Sequence, residues 1–90
     1  MKHAGPATFA RIPALLEELR QRPQLAERRP GTFYLKSKAF LHFHDDPDGV
    51  FADVKLDGVE FTRLPVTTRA EQRALLRHID AHLGGSGGRR

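Results

Sequence analysis

The chain has 90 residues, 39% of them hydrophobic and 29% charged, with a formal net charge of +4 and no cysteine. This length fits one domain with one hydrophobic core, and no apolar run is long enough to cross a membrane. Without cysteine, a disulfide framework, a thiolate nucleophile and a zinc–thiolate site are excluded. We therefore expect a cytoplasmic protein without a signal peptide.

The first predicted helix is defined by an apolar stripe at i, i+3, i+4 and i+7, formed by Ile12, Leu15, Leu16 and Leu19. Pro13 suits the first helical turn, where its missing N–H has no partner. Pro23 is expected to end the helix after Arg22. The following Arg- and Pro-rich residues, up to Gly31, are predicted to be an irregular connection.

Four strands are predicted next. Residues 32–44 are rich in aromatic and other β-favouring residues, and they are predicted to form two short strands that meet near Ser37 and Lys38. Residues 50–56 and 59–64 flank Asp57-Gly58, a favoured two-residue type I′ turn. That turn predicts a register in which Val54 faces Phe61 and Asp53 faces Thr62. It places one set of apolar side chains on a single face, consisting of Val54, Leu56, Val59 and Phe61.

The last predicted helix begins at a capping box made by Thr68 and Glu71 and ends near Gly84. Its apolar stripe consists of Leu75, Leu76, Ile79 and Leu83. The expected fold is a single α+β domain over residues 1–83. It has the order helix, four-stranded antiparallel sheet, helix, with the helices packed mainly on one sheet face. Residues 84–90 are predicted to form a flexible Gly/Ser/Arg tail.

Alternation along the strands predicts what each sheet face carries. The helix-covered face is expected to carry the side chains of Leu41, Phe43, Val50, Ala52 and Val54. The opposite face is expected to carry Phe40, His42, His44, Phe51 and Asp53. An exposed patch around Phe40 and Phe51, extended by Phe33 or Leu35, favours a homodimer formed through this face. The alternative is that the first helix crosses to this face and the patch is core.

The segment His-Phe-His-Asp-Asp suggests a metal site. His42 and His44 point the same way, about 6.5 to 7 Å apart along one strand. Imidazoles and carboxylates are suitable ligands for Zn²⁺ or another divalent transition metal. We expect Asp46 to complete the set, with Asp48 and Asp53 as alternatives. The competing interpretation is that the aspartates serve only the turn, and that the histidines are ordinary strand residues.

The last helix carries a row of arginines. Arg69, Arg73 and Arg77 recur at i, i+4 and i+8, and with the loop arginines Arg28 and Arg29 they are candidates for binding nucleic-acid phosphates. A solvated charged face is the alternative. On the same helix, His78 and His82 have metal-ligand spacing but also suit positions at the border of the apolar stripe.

The sequence offers little support for catalysis. Ser37 and Ser86 are the only serines, neither lies in a nucleophile-elbow pattern, and no phosphate-binding glycine motif is present. The expected function is a non-catalytic binding or protein-interaction module. The first alternative is a nucleic-acid-binding module that uses the arginine row. The second is a metal-binding protein that uses His42 and His44.

Residues 33–80, with "KAFLHFHDDPDGVFADVKL" and "FTRLPVTTRAEQRALLRHI", resemble small bacterial proteins related to what is called the luciferase-domain family. In that family, a His-x-His strand end similarly precedes an acidic loop and an aspartate-bearing strand. This resemblance implies a fold rather than a reaction. The chain is also similar to MmcQ/YjbR-like domains, whose core strand begins Gly-Lys-x-Phe-Ala, although "SKAF" here lacks the glycine.

Overall fold

The computed structural model describes residues 2–84. Within them are the strands β1 (Lys2–His3), β2 (Leu25–Arg29), β3 (Thr32–Leu35), β4 (Lys38–Asp46), β5 (Gly49–Val54) and β6 (Thr62–Pro65). The helices are α1 (Pro6–Phe9), α2 (Pro13–Arg20) and α3 (Arg69–His82).

Strands β2 to β6 form an antiparallel sheet in chain order, and β1 pairs with β4. Buried leucine and isoleucine side chains of α2 and α3 belong to the same core cluster as the buried side chains of β3, β4 and β5. We call the sheet face that contributes to this cluster the inner face. The opposite, outer face carries His42, His44 and Asp53. The α+β class with an antiparallel sheet is therefore confirmed.

The sheet has more strands than the four predicted. Residues 25–29 form β2, although they were expected to be irregular. Only Leu25 is buried in this strand, so its charged sequence has no alternating apolar pattern to reveal it. Strand β1 has two residues, which is too short for any periodicity to be detected.

The predicted register of the last hairpin is wrong by one residue. Val54 pairs with Thr62, and Asp53 pairs with Arg63. The connection is longer than two residues because Asp57 Oδ1 accepts hydrogen bonds from the backbone N–H groups of Val59 and Glu60, at 2.8 and 2.9 Å. A one-residue shift reverses the faces of the second strand.

Phe40 does not lie on the outer face. It is 3% exposed and belongs to the core, because β4 has one extra residue there: Phe33 pairs with Leu41, whereas Tyr34 pairs with Ala39. This bulge breaks the strict alternation on which the prediction rested. Phe33 is also buried in the core, so the exposed aromatic patch that was expected loses two of its members.

The two predicted helices, α2 and α3, follow their sequence signals closely. The stripe residues Leu15, Leu16 and Leu19 are buried, although α2 ends at Arg20, two residues before the predicted end. At the start of α3, the Thr68 side chain accepts from the Glu71 N–H, and the Glu71 carboxylate accepts from the Thr68 N–H, as the capping box predicts. The predicted tail lies, from residue 85 onward, outside the described residues. No helix within residues 2–84 is long and apolar enough to cross a membrane.

Candidate metal centre on the outer sheet face

The candidate site is built on the two central neighbouring strands β4 and β5. His42 pairs with Asp53 across the ladder, and His44 is two residues further along β4. Paired residues and i, i+2 residues project from the same side of a sheet, so all three side chains meet on the outer face. Leu41 and Phe43, which alternate with the histidines, are buried in the core and fix the orientation of β4.

Asp53 is at the centre of this group. Its Oδ2 atom lies 2.8 Å from His44 Nε2 and 3.4 Å from His42 Nε2. Arg63, which pairs with Asp53 on β6, donates two hydrogen bonds to the same carboxylate, from Nε to Oδ1 and from Nη2 to Oδ2, both at 2.7 Å. One carboxylate therefore contacts two imidazoles and a guanidinium.

The surroundings favour an ionised Asp53 and a neutral His42. The Arg63 hydrogen bonds, aided by the nearby histidines, lower the pKa of Asp53 below its ordinary value, and partial burial opposes this effect. Burial lowers the pKa of His42, and the positive groups around it act in the same direction, against the attraction of Asp53. Ionised carboxylate and neutral imidazole are the forms that ligate metals.

The site is only partly open to solvent. The side chains of His42, His44 and Asp53 are 29%, 14% and 10% exposed, respectively. The ring of Phe61 packs edge-on against His42 at 4.9 Å between centroids, and the ring of His3 lies 5.1 Å from that of His44. These two rings border the cluster on either side.

A small pocket of about 270 Å³ adjoins the cluster. It lies beside β4 where β3 and β1 meet, and His3, His42, Thr32 and Tyr34 are among the residues that line it. A small molecule or a water bound in this pocket would therefore reach the imidazole of His42. The site thus has both a set of possible metal-ligating atoms and a space beside one of the residues that carry them, His42.

The aspartates of the loop occupy other positions. Asp46 pairs with Gly49 at the end of β4, and its Oδ1 accepts from the Asp48 N–H at 2.9 Å, as the turn interpretation of this segment predicts. Asp48 is exposed. Among residues 2–84, the only group of three or more possible ligands is His42, His44 and Asp53. The carboxylate in that group is thus Asp53 and not the expected Asp46.

The other predicted binding residues are spread over the molecule. Phe51 is half-buried on the outer face, where it pairs with His44 and Pro65. Arg69, Arg73 and Arg77 are all exposed on α3, and Arg69 hydrogen bonds to Gln72. Their roles in binding stay predictions.

Two residues of the site were not predicted, Arg63 and His3. Arg63 was missed because the predicted register placed Thr62 opposite Asp53. The Asx turn at Asp57 was the signal that could have revealed the longer loop. His3 reaches the cluster only through β1, and no sequence pattern indicates that pairing.

Comparison of the chain with protein-family models, curated proteins and solved structures finds no match. The resemblance to the luciferase-domain and MmcQ/YjbR-like families therefore stays a prediction. The site geometry is the basis for assigning a function.

Proposed function

We propose that this protein is a binding module whose outer sheet face holds a divalent transition metal through His42, His44 and Asp53. The observation that carries the proposal is the convergence of one ligating atom from each of the three residues, all within 4.8 Å of one another. Two imidazoles and one carboxylate are a set that Zn²⁺ and related ions accept.

The spacing of these atoms suits a metal with little rearrangement. In a tetrahedral site with bonds of 2.0 to 2.1 Å, neighbouring ligand atoms are about 3.3 Å apart. The two distances from Asp53 Oδ2 to the histidine nitrogens, 2.8 and 3.4 Å, are already close to that value. Small rotations of the two imidazoles are sufficient to bring the nitrogens around one ion.

Arg63 supplies the positive charge that the metal would replace. Its side chain is 46% exposed, so it can turn toward water when a cation reaches Asp53. One cation thereby replaces another beside a carboxylate that is only 10% exposed. The exchange avoids leaving a buried charge without a partner, which is the costly alternative.

Three protein ligands leave one tetrahedral position for water, for a bound molecule or for a second chain. Of the three proposed ligands, His42 also lines the smaller pocket, which would offer room for such a molecule. The function that this arrangement supports is the binding of a metal together with a small exogenous ligand. The proposal is limited to binding, because binding is the property that the ligand set itself supports.

Metal titration of tag-free protein tests the proposal. Zn²⁺, Ni²⁺ and Mn²⁺ are added in turn, and binding is followed by calorimetry and by thermal unfolding. A metal present at a hundred times its dissociation constant adds about 2.7 kcal/mol to stability. We expect the double variant His42→Ala, His44→Ala to lose this stabilisation.

The double variant His78→Ala, His82→Ala is the matched control. It removes two histidines of α3 that have metal-ligand spacing. Among residues 2–84, these histidines belong to no group of three or more possible metal ligands. It should respond to metal like the unaltered protein. If the control loses the response and the His42, His44 variant keeps it, or if no metal binds at all, the proposed site is wrong.

Self-association through the outer face is a second candidate. Phe61, next to His42, is 40% exposed, and Val59 is 74% exposed, so apolar side chains remain at the border of the cluster. Sedimentation at micromolar concentration, with and without metal, tests it. If the protein is a dimer and the Phe51→Asp variant is a monomer, this candidate is supported. A monomer under both conditions, unaffected by Phe51→Asp, rejects it.

A further inference from the structure

A second and larger pocket lies on the inner side of the sheet, away from the histidine cluster. Its volume is about 430 Å³, within the range of about 300 to 1,000 Å³ that is typical of small-molecule sites. It is bordered by the β3–β4 turn, the start of the β5–β6 loop and the C-terminal end of α3. The lining residues that matter here are Leu35, Lys36, Lys38, Phe40, Lys55 and His82.

The base of the pocket is apolar and well supported. Phe40 is 3% exposed, and its ring stacks on His82 with 5.4 Å between centroids and 21° between planes. Leu35 and Leu83 are half-buried and pack against the core cluster. The Phe40 carbonyl also accepts a hydrogen bond from the Lys55 N–H at 2.9 Å, which ties the base to the rim.

The rim is positively charged, although the Lys55 ammonium also acts on the nearby Asp57 carboxylate. Lys36, Lys38 and Lys55 all line the pocket, and none of its lining residues is acidic. Within residues 2–84, Lys36 and Lys38 form no ion pair, whereas Arg20, Arg22 and Arg63 each hold a carboxylate. The Lys55 ammonium lies over the Phe61 ring, 4.8 Å from its centroid.

The backbone at the rim has an uncommon conformation. Lys36 and Ser37 form the two-residue β3–β4 turn, with φ of 52° and 69°. Such turns favour Asn and Gly, because side chains disfavour positive φ. The sequence nevertheless places a lysine within the turn and another directly after it. Disfavoured backbone that is retained beside a pocket is frequently associated with ligand binding.

From these observations we infer that this pocket binds a small anion with an apolar body, such as a medium-chain or aromatic carboxylate. The apolar body contacts Phe40, Leu35 and Leu83. The carboxylate is held at the rim by Lys36 and Lys38, and by Lys55 once its ammonium leaves the Phe61 ring. The pocket shares no residue with the proposed metal centre, and the two are linked only through Lys55, whose ammonium lies over the Phe61 ring that packs against His42.

Binding of octanoate, followed by two-dimensional NMR of the labelled protein, tests the inference. We expect saturable shifts for residues 35–40, Lys55 and His82, and none at His44 or Asp53. 1-Octanol, which has the same chain length without the charge, should bind about tenfold more weakly, because three exposed charge contacts each change affinity by a few fold. Octyltrimethylammonium should not bind.

The triple variant Lys36→Gln, Lys38→Gln, Lys55→Gln should weaken octanoate to the level of octanol, about tenfold. The triple variant Arg69→Gln, Arg73→Gln, Arg77→Gln removes the same charge from α3 and should leave octanoate binding unchanged. Three results each overturn the inference. They are equal loss in both variants, equal binding of octanol and octanoate, and no shift in the pocket at millimolar octanoate.

Discussion

Asp53 is the residue on which the outer face depends. Its carboxylate is only 10% exposed, and it is shared by His44, His42 and Arg63. A carboxylate in such a position needs a cation, and here the metal-free protein has one available on the adjacent strand. Under the proposed function, Arg63 would therefore have two opposite effects: it would stabilise the site without metal and compete with metal for Asp53.

Replacing Arg63 should separate these two effects. We expect Arg63→Gln to lower the melting temperature of the metal-free protein, since Asp53 loses two charged hydrogen bonds. The same change should tighten metal binding by about a few fold, because the Asp53 carboxylate no longer has to release a half-exposed guanidinium. Differential scanning calorimetry and metal titration measure the two quantities. Weaker metal binding by Arg63→Gln would mean that Arg63 supports the site rather than competing for it.

Gly49 is a second residue whose replacement is expected to lower the stability of the fold strongly. Its φ is +139°, and a Cβ atom there would meet the Oγ1 of Thr67, the hydroxyl that accepts the Val50 N–H at 2.9 Å. Gly49→Ala should therefore lower the free energy of unfolding by about 3 kcal/mol. Gly58 also has positive φ, +77°, but nothing lies within 4 Å of its Cβ position.

Gly58→Ala is thus the matched control for Gly49→Ala. It should cost only about 1 kcal/mol, the price of positive φ alone. Urea unfolding of both variants measures the difference. Equal losses would show that the contact with Thr67 contributes nothing.

At the scale of elements, α2 and α3 were the most predictable part of the chain, whereas the four-residue helix α1 was not predicted. Their apolar stripes and the capping box at Thr68 are local signals, and the structure confirms them. Strands β1 and β2 were missed because pairing at a sheet edge depends on a neighbouring strand and needs little apolar pattern. The bulge at Phe40 and the hairpin register were missed because one residue of shift leaves the composition of a strand unchanged.

The candidate site, like the sheet, was predictable only in part. The positions of His42, His44 and Asp53 on one face follow from alternation, and the structure confirms this geometry. The identity of the third ligand did not follow, because Asp46 shares that face by alternation as well. Only the hydrogen bond from the Asp48 N–H to Asp46 distinguishes the turn aspartate from the one beside the histidines.

The junction between α2 and β2 should make stability depend on pH. Arg20 donates two hydrogen bonds to Glu27, and the Gly31 N–H donates a third. The Arg20 hydrogen bonds, helped by Gly31 and opposed by burial, lower the pKa of Glu27. A lowered native pKa gives stabilisation that is present above the ordinary glutamate pKa of about 4.3. It is lost as the pH falls through the native pKa.

Glu27→Gln should therefore reduce the free energy of unfolding by about 0.5 to 1 kcal/mol at pH 7, a modest effect because Arg20 is half-exposed. The difference from the unaltered protein should shrink toward zero near pH 3. Urea unfolding at both pH values measures it, with Glu60→Gln, at an exposed position, as the control. A difference that is the same at both pH values would contradict this account.

At the scale of the whole molecule, positive charge is divided between separate surfaces. Arg69, Arg73 and Arg77 lie exposed along α3, whereas Arg28 lies on β2 with its guanidinium 4.8 Å above the Tyr34 ring. The lysines of the inner-side pocket form a third group. The nucleic-acid hypothesis requires the first group to contact phosphates.

That hypothesis predicts steep salt dependence. Binding to duplex DNA should weaken with salt, with a logarithmic slope of about 0.9 for each neutralised phosphate. The variant Arg69→Gln, Arg73→Gln, Arg77→Gln should lower the slope by about that amount per arginine in contact. Fluorescence anisotropy at several salt concentrations measures this. The lysine triple variant is the charge-matched control, and no binding at low salt would reject the hypothesis.

The extra residue in β4 also has a consequence for how this chain tolerates insertions and deletions. From Leu41 to Asp46, β4 pairs with β5 without interruption, so the histidines keep their phase relative to Asp53. The bulge separates that stretch from residues 38 and 39. A one-residue change in length before Phe40 would alter the pocket rim and the end of the β3–β4 pairing. A shift in the Leu41–Asp46 pairing would instead turn leucine and phenylalanine outward and the histidines inward. Related chains should therefore vary in length at the β3–β4 turn and keep a fixed spacing between His42 and Asp53.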